Sequence, residues 1–253
     1  MKINKLKRTL KEGKIGFGSW LTLGHVGIAE IMAQEKSDFL TIDLEHSATT
    51  IDQAQELIRV IELLGLTPLV RVSSNNENEI KKVMDAGAYG IIVPMIESEE
   101  DAKKVISSVY YAPIGKRGVG LFRAQGYGSD FFGYQSWLKE EGFVVVQIES
   151  KNGIDHLDEI LSVKGVDAAM IGPYDLSSSL GVPGQLSHPW VLEAEETFLK
   201  VCLSHQIAAG IHIVHPDSEE VTRKMNAGYR LIAYGADMIF LSHAVKQHLR
   251  THH

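Results

Sequence analysis

The chain has 253 residues, 44% of them hydrophobic and 23% charged, with a formal net charge of -7 at pH 7. That length suits one large α/β domain or two small ones, and no apolar stretch reaches the ~18 residues a membrane helix needs. The acidic balance argues against a nucleic-acid surface: the densest basic group, Lys5, Lys7, Arg8 and Lys11, reads as the solvated face of a short leading helix.

Strand-like and helix-like patterns then alternate. An apolar strand over 15–21 runs into Thr22, Leu23, Gly24 and His25, and a helical pattern follows over 26–34. The strand over 39–44 carries Asp43 and leads to Glu45 and His46; a helix over 51–64 follows. The strand over 67–72 contains Arg71 and the helix over 77–86 contains Asp85. A strand over 90–96 and a helix over 99–109 lead into the longest irregular stretch, 111–136, with six glycines and six aromatics. A loop that long inside a compact domain is usually functional. Next come strands over 143–149 and 168–172 with a helix over 154–161 between them, then a helix over 189–205. Cys202 in that last helix reads as a buried packing thiol, unable to form an internal disulfide, as in a reducing cytoplasm. Strands over 208–214 and 231–234 alternate with helices over 218–226 and 238–250. Helix-start signals at Ser98 and Asp217 and glycine stops at Gly65, Gly87 and Gly228 support these boundaries. Eight such units match the rhythm of a single-domain α/β (β/α)8 TIM barrel spanning 1–253; an open doubly wound sheet is the rival.

A barrel places its chemistry at the carboxyl ends of the strands. That is where the polar residues fall: Glu149 ends the run 144–149, and Asp175 follows Gly172, Pro173 and Tyr174 after the run 168–171. Two carboxylates in such settings are costly unless a cation lies between them, which points to a metal. Each neighbour also has a bland reading. His46 can be a histidine hydrogen-bonded under a loop, and Arg71 an ion-pair partner for Asp43 or Glu45. Asp85 sits near a helix C-terminus, where the macrodipole disfavours an anion, so it wants a specific partner.

The segments Ile42-Asp43-Leu44-Glu45-His46, Leu69-Val70-Arg71-Val72, Val93-Pro94-Met95, Gly115-Lys116-Arg117-Gly118-Val119-Gly120, Val146-Gln147-Ile148-Glu149 and Ile171-Gly172-Pro173-Tyr174-Asp175-Leu176-Ser177 follow one another in this order along the chain. From about Gly16 to Ala244 the chain thus resembles the HpcH/HpaI family of metal-dependent pyruvate aldolases, similar to phosphoenolpyruvate/pyruvate-binding barrels. The resemblance implies reversible cleavage of a 4-hydroxy-2-oxo acid, such as a 2-keto-3-deoxy sugar acid or 4-hydroxy-2-oxoheptanedioate, into pyruvate and an aldehyde. It implies Glu149 and Asp175 as ligands of Mg2+ or Mn2+, with Co2+ a workable substitute, and Gln147 reaching the substrate or a water on the metal. It further implies His46 as base, Asp85 orienting it, Arg71 holding the 2-oxo oxygen, and the amides of Tyr174 and Asp175 beside Gly172 and Pro173 seating the carboxylate. Family members form homohexamers, trimers of dimers, with a C-terminal helix exchanged between neighbours. The small-molecule 2-oxo acid and aldehyde are the expected partners, with no nucleic acid or membrane.

The alternative aldolase route needs a strand lysine for a Schiff base, and none of the eight strand candidates has one; Lys151 lies in a loop. Departures from the family pattern bear on specificity. Tyr174 stands where alanine is common, and His25 is either an aldehyde contact or a helix-entry residue. The glycine-rich loop with Phe122, Arg123, Tyr127 and Tyr134 is expected to wall the acceptor side. His212 and His215 follow the seventh strand with unread directions, and the closing His252 and His253 carry no weight. Two competing functions are an acyl-CoA or phosphoenolpyruvate-type carbon–carbon lyase on the same barrel and a non-catalytic pyruvate-binding barrel.

Overall fold

Every residue of β2 (Phe39–Asp43), β3 (Thr67–Arg71), β4 (Gly90–Val93), β5 (Phe143–Ile148) and β6 (Ala168–Ile171) is buried. Strands buried on both faces belong in a parallel sheet covered by helices. The computed structural model, which describes residues 2–34 and 37–249, gives that arrangement. With β1 (Gly16–Leu21), β7 (Ala208–Ile213) and β8 (Leu231–Ala236), the strands pair in parallel in sequence order, and β1 pairs with β8 to close the barrel. Closure excludes the open sheet.

Period-two geometry sorts the strand residues into two rows. One row packs within the barrel, as Phe39, Leu69, Ile92, Phe143, Val145, Ala168, Met170 and Leu231 do. The alternate row, including Leu40, Val70, Ile91, Val144 and Ala169, packs against the helices. Continuing the inner row to the carboxyl ends reaches Asp43 and Arg71, register partners across β2 and β3, then Gln147 and Glu149 on β5 and His212 on β7. Alternation along apolar strands thus aims these polar residues at one rim.

The helices α1 (Lys5–Lys11), α2 (Val26–Met32), α3 (Ile51–Leu63), α4 (Glu77–Ala86) and α5 (Glu99–Val109) start at side-chain caps, as Thr50 and Gln53 form at α3. Ser98 caps α5 through the Asp101 amide at 3.1 Å, and Gly87 ends α4 in the left-handed region at φ 104°. Lys5, Arg8 and Lys11 of α1 are exposed as expected, but Lys7 is buried and the opposite face of α1 closes the amino-end mouth of the barrel. Leu6 is fully buried among the inner row, and Lys7 is buried 2.9 Å from Asp167. Arg8 lies 2.6 Å from Glu141.

The irregular stretch ends sooner than expected, because α6 (Phe131–Glu141) starts inside it, capped by Asp130 to the Gly133 amide at 3.1 Å. The predicted helix over 154–161 is two short ones, α7 (Lys151–Asp155) and α8 (Leu157–Ser162), and α9 (Pro173–Ser179) is an additional helix of about two turns. Then follow α10 (Pro189–Ser204), α11 (Ser218–Ala227) and α12 (Asp237–Leu249). The expected end of the last helix at residue 250 and the residues His252 and His253 lie outside the described residues. Among the described residues no helix is long and apolar enough to cross a membrane. The last helix leaves Met238, Leu241, Val245 and Leu249 exposed along one stripe.

Candidate active site

The carboxyl-end rim holds a cavity of about 230 Å3 lined by Asp43, His46, Arg71, Gln147, Gly172, Pro173, Tyr174 and Asp175, with Trp20, Thr22 and His212 beside them. Arg71 is its fixed cation. Its Nε and NH2 donate to the two oxygens of Asp43 at 2.9 and 2.8 Å, and its NH1 lies 2.9 Å from Glu45. The guanidinium stacks 4.3 Å over Trp20, which in turn stacks on His212 at 4.8 Å and 9°. A planar group bonded along one edge and stacked on one face has little freedom to turn. The bland reading of Arg71 is therefore true, with both acids as partners, and the same contacts aim it at the cavity.

Glu149 is equally constrained. Its Oε1 accepts from the Met95 amide at 2.8 Å and its Oε2 from Gln147 Nε2 at 2.5 Å. Met95 reaches it from a left-handed conformation, φ 53°, which costs a non-glycine residue about 1 kcal/mol. Gly172 is required by close approach: a Cβ there would lie 2.8 Å from Glu149 Oε2. Burial raises the Glu149 carboxyl above its ordinary proton affinity, and the charge of nearby Asp175 adds to the effect while the two hydrogen bonds oppose it. Burial also pushes Glu45 up to about 7, against the pull of Arg71 and with the help of Glu149, Asp43 and Asp175.

Asp175 departs from expectation in one respect. It is exposed, in the first turn of α9, and only Glu149 of the pair is buried. With Pro173 at the first position and no side chain capping at Gly172, the leading amides of α9 have no intrahelical partners. The donor set fits a hard divalent ion. It offers the Glu149 and Asp175 carboxylates and Gln147 Oε1, a buried oxygen that no donor among the described residues satisfies. No cluster of three or more His, Cys, Asp or Glu suited to a metal occurs among the described residues, and Mg2+ is commonly held by one or two carboxylates with substrate and water completing the shell.

His46 lines the cavity, its side chain 66% exposed and its Nε2 3.9 Å from Glu45. Asp85 is not brought to it. The α4 helix carries the chain from the carboxyl-end rim to the amino-end rim, and Asp85 sits at its far end, bonded to Arg117 at 2.5 Å and Gln125 at 2.9 Å. Within one chain, then, Asp85 orients no His46; Arg117 is the partner that its unfavourable helix position calls for. The glycine-rich loop is corrected likewise. Arg123 pairs with Glu62, Tyr127 accepts from Arg59, and Tyr134 is buried against Arg117, so these residues with Phe122 line no part of the cavity of their own chain.

His25 has the helix-entry role, its Nδ1 accepting the Gly27 amide at 3.1 Å as the cap of α2. His212 faces the cavity with Nε2 2.9 Å from the Gly235 carbonyl, and His215 is exposed in a neighbouring cavity. Lys151 is exposed and paired with Asp155, and among the described residues no strand contains a lysine to form a Schiff base. Trp20 and the stack it mediates escaped sequence reasoning; counting inward positions along β1 and β7 would have found Trp20 and His212.

A closed parallel barrel with fixed acids and one clamped arginine at its carboxyl-end rim defines a barrel enzyme with electrostatic rather than nucleophilic chemistry. The sequence profile of the HpcH/HpaI aldolase/citrate lyase family matches residues 17–244, and the chain belongs to that family. It is 35% identical to the 2-keto-3-deoxy-L-rhamnonate aldolase of Escherichia coli K12 over 97% of this chain and 92% of that one. A family protein from Burkholderia cenocepacia J2315 superposes with a TM-score of 0.92 at 33% identity, covering 98% of both chains. The citrate synthase SbnG superposes at 0.88 with 27% identity, covering 98% and 97%. The chain is a carbon–carbon lyase of the aldolase type.

Proposed function

We propose that this aldolase cleaves a 4-hydroxy-2-oxo acid of the 2-keto-3-deoxy sugar-acid class into pyruvate and an aldehyde, on a pyruvate-binding barrel. The clamped Arg71, set on the same small cavity as Gln147 and Asp175, with Glu149 bonded to Gln147 behind them, carries this reading. Glu149, Asp175 and the free Gln147 Oε1 hold Mg2+ or Mn2+; when bound, the ion supplies Lewis-acid stabilisation of charge on the 2-oxo acid. Arg71 places a positive charge where the enolate oxygen gains its negative charge. The amides of Tyr174 and Asp175 seat the carboxylate, and His46, exposed at the mouth, moves the proton at the carbon–carbon bond being cleaved.

Asp85, at the far end of α4, can serve only the His46 of another copy. That role depends on a homohexamer, a trimer of dimers, with α12 exchanged between neighbours; the exposed stripe of α12 supports it. The chain acts as one domain, in the cytoplasm. Pyruvate proton exchange in deuterated buffer tests the reading. Exchange that EDTA abolishes and Mn2+ restores is expected; exchange that survives EDTA overturns it.

A further inference from the structure

A second cavity of about 450 Å3 adjoins the first, and the two share Pro173, Tyr174, His212 and Val214 as a common wall. The first, about 230 Å3, is below the ~300–1,000 Å3 usual for small-molecule sites, enough for the 2-oxo acid end of a substrate but cramped for a longer one. The second opens between β7, α10 and the length of α11, and meets the carboxyl-end rim at Val214 and His215.

Two side chains of the shared wall carry unused hydrogen-bonding atoms. Tyr174 is 45% exposed, and its hydroxyl has no partner among the described residues. The Gly235 carbonyl can only accept, so the His212 nitrogen facing it at 2.9 Å, Nε2, bears the proton. That leaves Nδ1 as an acceptor with no partner among the described residues, on a ring already held flat against Trp20. Burial lowers the imidazole to about 4, so this neutral form persists at ordinary pH. The charges of the second cavity are spoken for. Lys224 lies 2.6 Å from Glu195 and 3.7 Å from Glu220, and Arg223 pairs with Glu220 and lies 3.8 Å from Asp217. Three acids against two bases leave an incoming carboxylate without an unpaired arginine or lysine.

We propose that Tyr174 and His212 form the threshold of an acceptor chamber that selects neutral, polyhydroxylated aldehydes, with His212 Nδ1 and the Tyr174 hydroxyl bonding their hydroxyl groups. The inference rests on the aldolase reading and adds to it the two side chains that select the aldehyde. Fixed donors and acceptors discriminate well, because an analogue lacking the hydroxyl leaves them unpaired.

The test measures kcat/KM for condensation of pyruvate with glyceraldehyde, with propionaldehyde, which lacks the hydroxyls, and with succinic semialdehyde, which carries a carboxylate. Pyruvate proton exchange is measured in parallel on the same metal-loaded enzyme and used to normalise each variant. The wild type should prefer glyceraldehyde to both others by roughly tenfold or more. His212→Leu and Tyr174→Phe should each shrink the preference over propionaldehyde severalfold, and His212→Asn, which keeps an acceptor, should retain more of it than His212→Leu. A preference unchanged in both Tyr174→Phe and His212→Leu, or a wild type that favours succinic semialdehyde, overturns the proposal while exchange still proceeds. Absence of metal-dependent exchange in the wild type instead overturns the aldolase reading beneath it.

Discussion

Arg71 stands among Asp43, Glu45, Glu149 and Asp175, and its removal has two separable effects. Arg71→Ala strips the buried Asp43 of both charge-assisted hydrogen bonds, which should cost about 3–5 kcal/mol in denaturant unfolding. It also removes the cation from the enolate, lowering kcat on the order of 100-fold or more. Arg71→Lys keeps the charge but not the two-pronged bond or the flat stack on Trp20, so it should recover part of the stability and little of the rate. A wild-type kcat in either variant contradicts the role given to Arg71. Gly172→Ala tests Glu149 without touching it. The added Cβ would lie 2.8 Å from Glu149 Oε2 and 2.9 Å from its Cβ, so the carboxylate must shift. Isothermal titration should show Mn2+ affinity reduced roughly tenfold or more, as misplaced metal ligation does; unchanged affinity would place the ion elsewhere.

At the scale of elements, α12 makes the sharpest prediction. Its stripe of Met238, Leu241, Val245 and Leu249 is too large an apolar surface for water to favour, and an exchanged helix would bury it. Leu241→Asp with Val245→Asp should shift the assembly to smaller species in light scattering, and an unaltered mass contradicts the exchange. The eight strands were legible in the sequence because strands buried on both sides read as unbroken apolar runs, and the caps at Ser98 and Asp217 were legible because capping is local chemistry. The start of α6 was hidden by Gly133 and its aromatic neighbours, whose helix depends on Tyr134 and Leu138 packing inward. Asp175 read as a buried strand end because its run, 168–171, is apolar; it stands instead in the first turn of α9, exposed at the cavity. Burial of Lys7 was likewise unreadable, since its partner Asp167 is 160 residues away along the chain.

Across the whole molecule the site couples pH, metal and stability. Glu45 is raised from 4.5 to about 7, and Glu149 is raised as well, burial being the main cause for both. A raised carboxyl favours the folded state while protonated, so the metal-free protein should lose this contribution as pH climbs from 4.5 towards 7. His212 acts in the opposite sense: lowered from 6.5 to about 4, it penalises the folded state as pH falls through that interval. Glu45→Gln should flatten the loss above pH 4.5 and leave the His212 limb in place, as urea unfolding across pH would show. A divalent ion on Glu149 displaces its proton, so the Tm gained from Mn2+ should be larger at about pH 8 than at about pH 5.5. An equal gain at both pH values contradicts the coupling.

The most direct measurement is the anomalous difference map of a crystal soaked with Mn2+ and pyruvate. The account predicts a peak bonded to oxygens of both Glu149 and Asp175, with pyruvate beside it and Arg71 on the 2-oxo oxygen. Manganese bound away from these two side chains, or pyruvate seated elsewhere in the barrel, would contradict it.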